Sequence, residues 1–240
     1  MLSNARLSQF LFLDIETIPQ VYKFADLSPE KKKLFEKKVR YRLNDENTVE
    51  DLYQQAGIWA EFGQIIVISV GFFVKDDGSE FRMKSFASGD EKELLQNFSS
   101  LLNTKYFRRK DLKLCAHNGK EFDFPYIARR MIINGIELPE QLRVFGKKPW
   151  ETSFCDTMEL WRFGDHKHYT SLELLTHILD IPSPKTDIEG KDVARVYYEE
   201  KDLLRIRNYC ENDVLAVAQI ILRYMGKELL DKNNITGKNN

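Results

Sequence analysis

The chain has 240 residues, enough for one substantial hydrophobic core or two small ones. Its 36 Lys and Arg against 37 Asp and Glu leave a formal net charge of -1, which excludes a protein that coats nucleic acid by bulk charge; any such partner must meet a local basic surface. The three cysteines, Cys115, Cys155 and Cys210, are odd in number and lack C-x-x-C spacing, which excludes a disulfide framework and a cysteine zinc site.

The first apolar run, Phe10–Leu13, leads through Asp14-Ile15-Glu16-Thr17 and stops at Pro19, as a buried strand does. It is too short for a signal peptide or a membrane span, so the expectation is a cytoplasmic chain with no membrane association. From 20 to 62 the sequence turns charged and helix-favouring and reads as a helical insertion, with a helix start at Ser28-Pro29-Glu30. Between Ser28 and Arg42, seven basic residues (Lys31, Lys32, Lys33, Lys37, Lys38, Arg40, Arg42) face Glu30 and Glu36, a local charge of +5. Such a run tracks a phosphate backbone or simply forms a solvated helix face.

Gln64–Gly78 and Glu80–Ala87 read as two strands of a hairpin joined at Asp76-Asp77-Gly78. Asp90 is placed to cap a helix in which Leu94, Leu95, Phe98, Leu101 and Leu102 recur at helical spacing. There follow a strand at Leu112–His117, a turn at Asn118-Gly119, a helix beginning near Pro125, a strand end in Phe154–Leu160 and a helix at Ser171–Leu179. The last long helix runs from an Asp202 cap to about Met225, and 228–240 is a polar tail expected to fray. This order predicts an α/β fold over 1–240 as a single domain, with a mixed sheet in which an antiparallel hairpin adjoins parallel strands and helices flank both.

Three separated segments carry candidate chemistry. Asp14 and Glu16 lie two apart on a strand and so share a face, where a divalent cation between them would offset their repulsion; emergence into solvent is the alternative. Asp123 stands near a helix start, where it serves as a cap, a metal ligand or both. Tyr209 and Asp213 are one helical turn apart, inside the last helix and beside its apolar face, where a buried carboxylate needs a partner. The rival pair Tyr198 and Asp202 is set aside because Asp202 reads as a cap. Hard Mg2+ or Mn2+ prefers oxygen ligands, and two such ions would balance the four charges of Asp14, Glu16, Asp123 and Asp213. Two ions about 4 Å apart serve both the attacking water and the leaving oxygen of a phosphodiester, with Tyr209 orienting the water or helping to take its proton. Asp156 reads as an outer member of this set or as a turn residue, Cys210 as packed core, and His166 with His168 as an incidental pair in a loop.

In order, "LFLDIET", "HNGKEFDFPY" and "YCENDV" resemble the three exonuclease motifs of the DEDD superfamily, tyrosine branch. The chain is most similar to stand-alone predicted 3′–5′ exonucleases related to the proofreading domain of family B DNA polymerases. The resemblance implies a ribonuclease H-like sheet and a two-metal 3′–5′ exonuclease that releases mononucleotides from single-stranded DNA. It implies catalytic roles for Asp14, Glu16, Asp123, Tyr209 and Asp213, all but the tyrosine as metal ligands. It also suggests Thr17, Asn118 and Phe122 as the lining of the terminal nucleotide pocket; Lys185, in a loop, is a candidate phosphate contact. The motifs leave RNA open as the substrate, and a nucleic-acid-binding module that has lost catalysis is the rival from another class.

Overall fold

A computed structural model describes residues 2, 5–165, 169–182 and 187–237. The apolar run forms strand β1 (Phe10–Pro19), and the predicted hairpin forms β2 (Gly63–Phe73) and β3 (Phe81–Ala87). Two short parallel strands follow, β4 (Lys113–Ala116) and β5 (Phe154–Asp156). With a last strand β6 (Ile235–Thr236), the sheet order is β5-β4-β1-β2-β3-β6: β1, β2 and β3 are antiparallel neighbours, while β4 pairs parallel to β1 and β5 parallel to β4. This is the mixed, helix-flanked sheet expected from the sequence.

The last strand, β6 (Ile235–Thr236), corrects one expectation. The tail does not simply fray: it pairs parallel to β3, anchored by the partly buried Ile235 and the buried Leu230. The outer edge of β3 supplies backbone partners that no pattern within a polar tail can signal.

Helix α3 (Glu91–Leu102) begins at the Asp90 cap and covers one sheet face together with α4 (Asp123–Ile133). The other face carries α8 (Leu203–Tyr224), capped by Asp202 as predicted. Between them run α5 (Thr157–Arg162), α6 (Leu172–Ile178) and α7 (Val193–Arg195), the last passing through a π-helical turn, Val196–Glu200, before α8. No helix among the described residues is long and apolar enough to cross a membrane.

The 20–62 segment contains α1 (Pro29–Val39) and α2 (Val49–Tyr53) and builds a small aromatic core around Phe35, which packs against Phe24, Tyr53, Trp59 and Phe62. Its end is bolted to the sheet layer. Tyr126 of α4 donates to the Gly57 carbonyl (2.7 Å) and Arg130 to that of Ala60 (2.7 Å). Arg130 also forms a buried pair with Glu91, which accepts further hydrogen bonds from the Ile65 N–H (2.7 Å) and Asn134 (2.9 Å). Gly57 itself lies against the backbone of Ile18 and Pro19, where an added Cβ would come within 3.1 Å. Several of the basic residues are engaged locally: Lys31 bonds Gln20, Lys32 the Ala25 carbonyl, Lys38 pairs with Glu61, and Arg42 lies over Trp59.

Candidate metal centre and active site

Asp14 and Glu16 leave β1 on the face that α8 covers, as the two-residue repeat of a strand requires. The β1–β2 register shifts between Glu16 and Thr17, a bulge that bends the strand where the carboxylates cluster. Asp123 enters from α4. It is not the cap: Phe122 holds that position, and Asp123 is the first helical residue, only 3% exposed. Its carboxylate accepts from its own backbone N–H and that of Ile15, while Oδ1 is buried without a hydrogen-bond partner. Asp213 and Tyr209 arrive from α8, with the Tyr209 hydroxyl donating to the Asp213 carboxylate.

These side chains feel one another strongly. Burial, then Glu16, Asp123 and Asp213, hold the Asp14 carboxyl well above the usual range. Burial, then Asp213 and Asp123, do the same to Glu16. Burial pushes Asp123 and Asp213 up to about 7. The Tyr209 phenol is raised by burial and then by Asp213, Glu16 and Asp14, so it is held as a neutral hydroxyl. Four carboxyls so disposed are costly in an apolar setting, and the orphaned Asp123 oxygen adds to the cost. Divalent cations would relieve both penalties at once, so the donor set fits hard, oxygen-seeking ions.

One member of the cluster went unseen in the sequence. Cys210 is not merely packed: its thiol donates to the Asp14 carbonyl (3.3 Å), and ligand atoms of Asp14, Glu16 and Cys210 all lie within 4.8 Å of one another. A lone cysteine beside a tyrosine carries no local signal of that. Asp156 is also more than a turn residue. It caps α5 through the Met158 and Glu159 N–H groups and accepts from the N–H groups of Asn118 (3.0 Å) and Lys120 (3.1 Å). It thereby fixes the turn before α4, in which Asn118 adopts φ 60 and a Cβ on Gly119 would strike that of Ala116 at 2.4 Å.

Thr17 and Phe122 meet at Tyr126, the first by a side-chain hydrogen bond and the second by ring contact (5.3 Å between centroids). Asn118 stands apart from them on the Asp156 side, its Oδ1 buried and unpartnered. Lys185, His166 and His168 lie outside the described residues. An open cleft of about 780 Å³ leads to Tyr209 and Asp213, walled by α6 and by 187–192. Its rim acids Asp187, Glu189 and Asp192 are paired with Arg205, Lys191 and Arg195.

Carboxylates gathered midway along a central strand, Glu16 and Asp123 buried and Asp14 and Asp213 partly so, with Asp213 facing a nucleotide-sized cleft, suit metal-assisted phosphodiester hydrolysis. The chain belongs to the family of predicted 3′–5′ exonucleases related to the exonuclease domain of PolB, whose model matches residues 59–236. Asp14 and Glu16 precede the matched segment and join it through the pairing of β1 with β2. Among solved structures, the family B DNA polymerase from the hyperthermophilic archaeon Pyrobaculum calidifontis shares the fold, with a TM-score of 0.54 and 13% identity. The match covers 90% of this chain and 24% of the polymerase.

Proposed function

We propose that this exonuclease removes mononucleotides from the 3′ end of single-stranded DNA with two divalent ions, Mg2+ or Mn2+, held by Asp14, Glu16, Asp123 and Asp213. On this reading 1–240 is one exonuclease domain, with 20–62 as its helical insertion and 228–240 as its tail. The observation that carries it is the convergence of four carboxyls from three distant segments, each shifted by burial and most of them by one another. Bound there, the ions supply an activated water and stabilise the departing 3′ oxygen. Asp213 holds the Tyr209 hydroxyl in place, and Tyr209, kept neutral by its surroundings, orients the attacking water rather than abstracting its proton. Tyr126 braces Thr17 and Phe122, which line the terminal nucleotide's place, while Asn118 offers its free Oδ1.

The test is digestion of matched, end-labelled DNA and RNA oligonucleotides by the purified chain. Mononucleotides should appear from single-stranded DNA only with Mg2+ or Mn2+ and vanish in the Asp14→Ala/Asp213→Ala variant. Activity surviving that double substitution sinks the assignment of the site. Equal or faster RNA digestion moves the substrate to RNA, and binding without cleavage under either metal marks a retired enzyme.

A further inference from the structure

Asp14, Ser69 and Ser85 stand opposite one another on β1, β2 and β3 and form a single row beneath α8. Phe12, Gly71 and Met83 form the row on one side, and Glu16, Val67 and Ala87 the row on the other. Helix α8 crosses these rows in step with β2. Ile206 and Cys210 share an apolar cluster with Val67, and a Cβ on Gly71 would come within 3.0 Å of Val214. Four helical residues rise about 6 Å and two strand residues about 6.6 Å, so Ile206, Cys210 and Val214 each advance by one row.

The middle row is polar, unlike the apolar contacts beside it. The Cys210 thiol reaches the Asp14 carbonyl and interacts with Ser69. Ser85 donates to Glu211 Oε1 at 2.7 Å. A hydroxyl has one hydrogen, so in the 2.9 Å contact between Ser69 and Ser85 the donor is Ser69. Glu211 is 1% exposed; its Oε1 also lies 3.5 Å from Arg207 Nε one turn back on α8, and its Oε2 is buried without a hydrogen-bond partner. A carboxylate at that depth stabilises a helix–sheet contact less than an apolar side chain would. Directional bonds do supply what apolar packing does not, a fixed axial position and rotation for α8. Tyr209 and Asp213 bracket the two residues that make them.

We propose that Ser69, Ser85, Cys210 and Glu211 are positioning residues, a register lock that seats α8 on the sheet and so sets Tyr209 and Asp213 against Asp14 and Glu16. A slip of one residue would turn Asp213 about 100° away from the strand carboxylates. The inference rests on the metal reading above, and the experiment separates the two. Mn2+ uptake is titrated by electron paramagnetic resonance in the wild type, Ser85→Ala, Cys210→Ala, Cys210→Ser and Ile221→Val, with amide exchange measured over 209–213. Ser85→Ala and Cys210→Ala should weaken Mn2+ binding roughly 10–100-fold and speed exchange in that turn. Cys210→Ser, which keeps a donor, should restore most of both. Ile221→Val, on the same helix but off the polar row, should lower the melting temperature and change neither. Unaltered Mn2+ affinity in Ser85→Ala and Cys210→Ala, or equal weakening in Ile221→Val, overturns the lock. A wild type that takes up no Mn2+ defeats the metal reading instead, and the lock then stands or falls on exchange alone: faster exchange in Ser85→Ala upholds it, unchanged exchange ends it.

Discussion

Replacing Asp123 with Asn removes one buried charge while keeping the shape and an acceptor oxygen for the Ile15 N–H. Asp123 is raised from 3.8 to about 7 chiefly by burial, with Asp156 and Asp213 adding to the rise and backbone N–H groups opposing it. Because the folded state holds the proton more tightly than the unfolded chain, the resulting stability is fully present below about pH 4 and is lost as pH rises through about 7. Each tenfold change in proton affinity is worth about 1.4 kcal/mol, so ionised Asp123 costs the metal-free fold at most about 4 kcal/mol. Sharing of that cost with Asp156 and Asp213 leaves about 2–3 kcal/mol to be recovered by Asn, a rise of roughly 5–10 °C in melting temperature for a chain of this size. Calorimetry in EDTA at pH 8 should therefore show the variant melting above the wild type, with the gap closing toward pH 4. Excess Mn2+ should raise the wild type's melting temperature, by about 2.7 kcal/mol of stabilisation at 100 times Kd, and leave the variant little changed. A variant that melts at or below the wild type at pH 8, or that gains as much from Mn2+, would refute the reasoning.

Three further outcomes follow from the same geometry. Cations must displace protons from carboxyls near 7, so the Mn2+-induced rise in melting temperature should be larger at pH 8 than at pH 5.5; fluorimetry at the two pH values checks it. Tyr209→Phe should leave Mn2+ affinity within a few fold of wild type while lowering the cleavage rate about 100-fold or more, a split read by single-turnover assay. Glu91→Leu strands Arg130 in the core and should cost about 3–5 kcal/mol in urea unfolding, only part of it regained in Glu91→Leu/Arg130→Met, which still leaves the Ile65 N–H and the Ala60 carbonyl without these partners.

What the sequence disclosed was local. Strand β1 showed as an apolar run, Phe10–Leu13, continuing to a stop at Pro19, the hairpin as two runs around a Gly turn, and α8 as a long amphipathic stretch behind an Asp cap. The acidic residues were legible because three spaced motifs resembled a known set. Position in space was not. Nothing near Glu211 in the chain signals that Ser85, 126 positions away, bonds it. Asp156 reads as a turn residue until it proves to hold Asn118 and Lys120 from another segment. β6 depends on the open edge of β3, and the depth of Asp123 depends on how α4 meets β1, neither of which is written in a neighbouring residue.

The 20–62 segment bears on how fast the sheet can assemble. β1 and β2 are central partners, yet the chain leaves one at Pro19 and enters the other at Gly63. Closing a slack loop of 43 residues costs about 2 kcal/mol more in chain entropy than closing a four-residue turn. The aromatic knot around Phe35 draws the two ends together, with the Gln20 N–H on the Phe62 carbonyl at 2.8 Å. Formed early, it acts as a prefabricated turn and makes a distant pairing kinetically short-range.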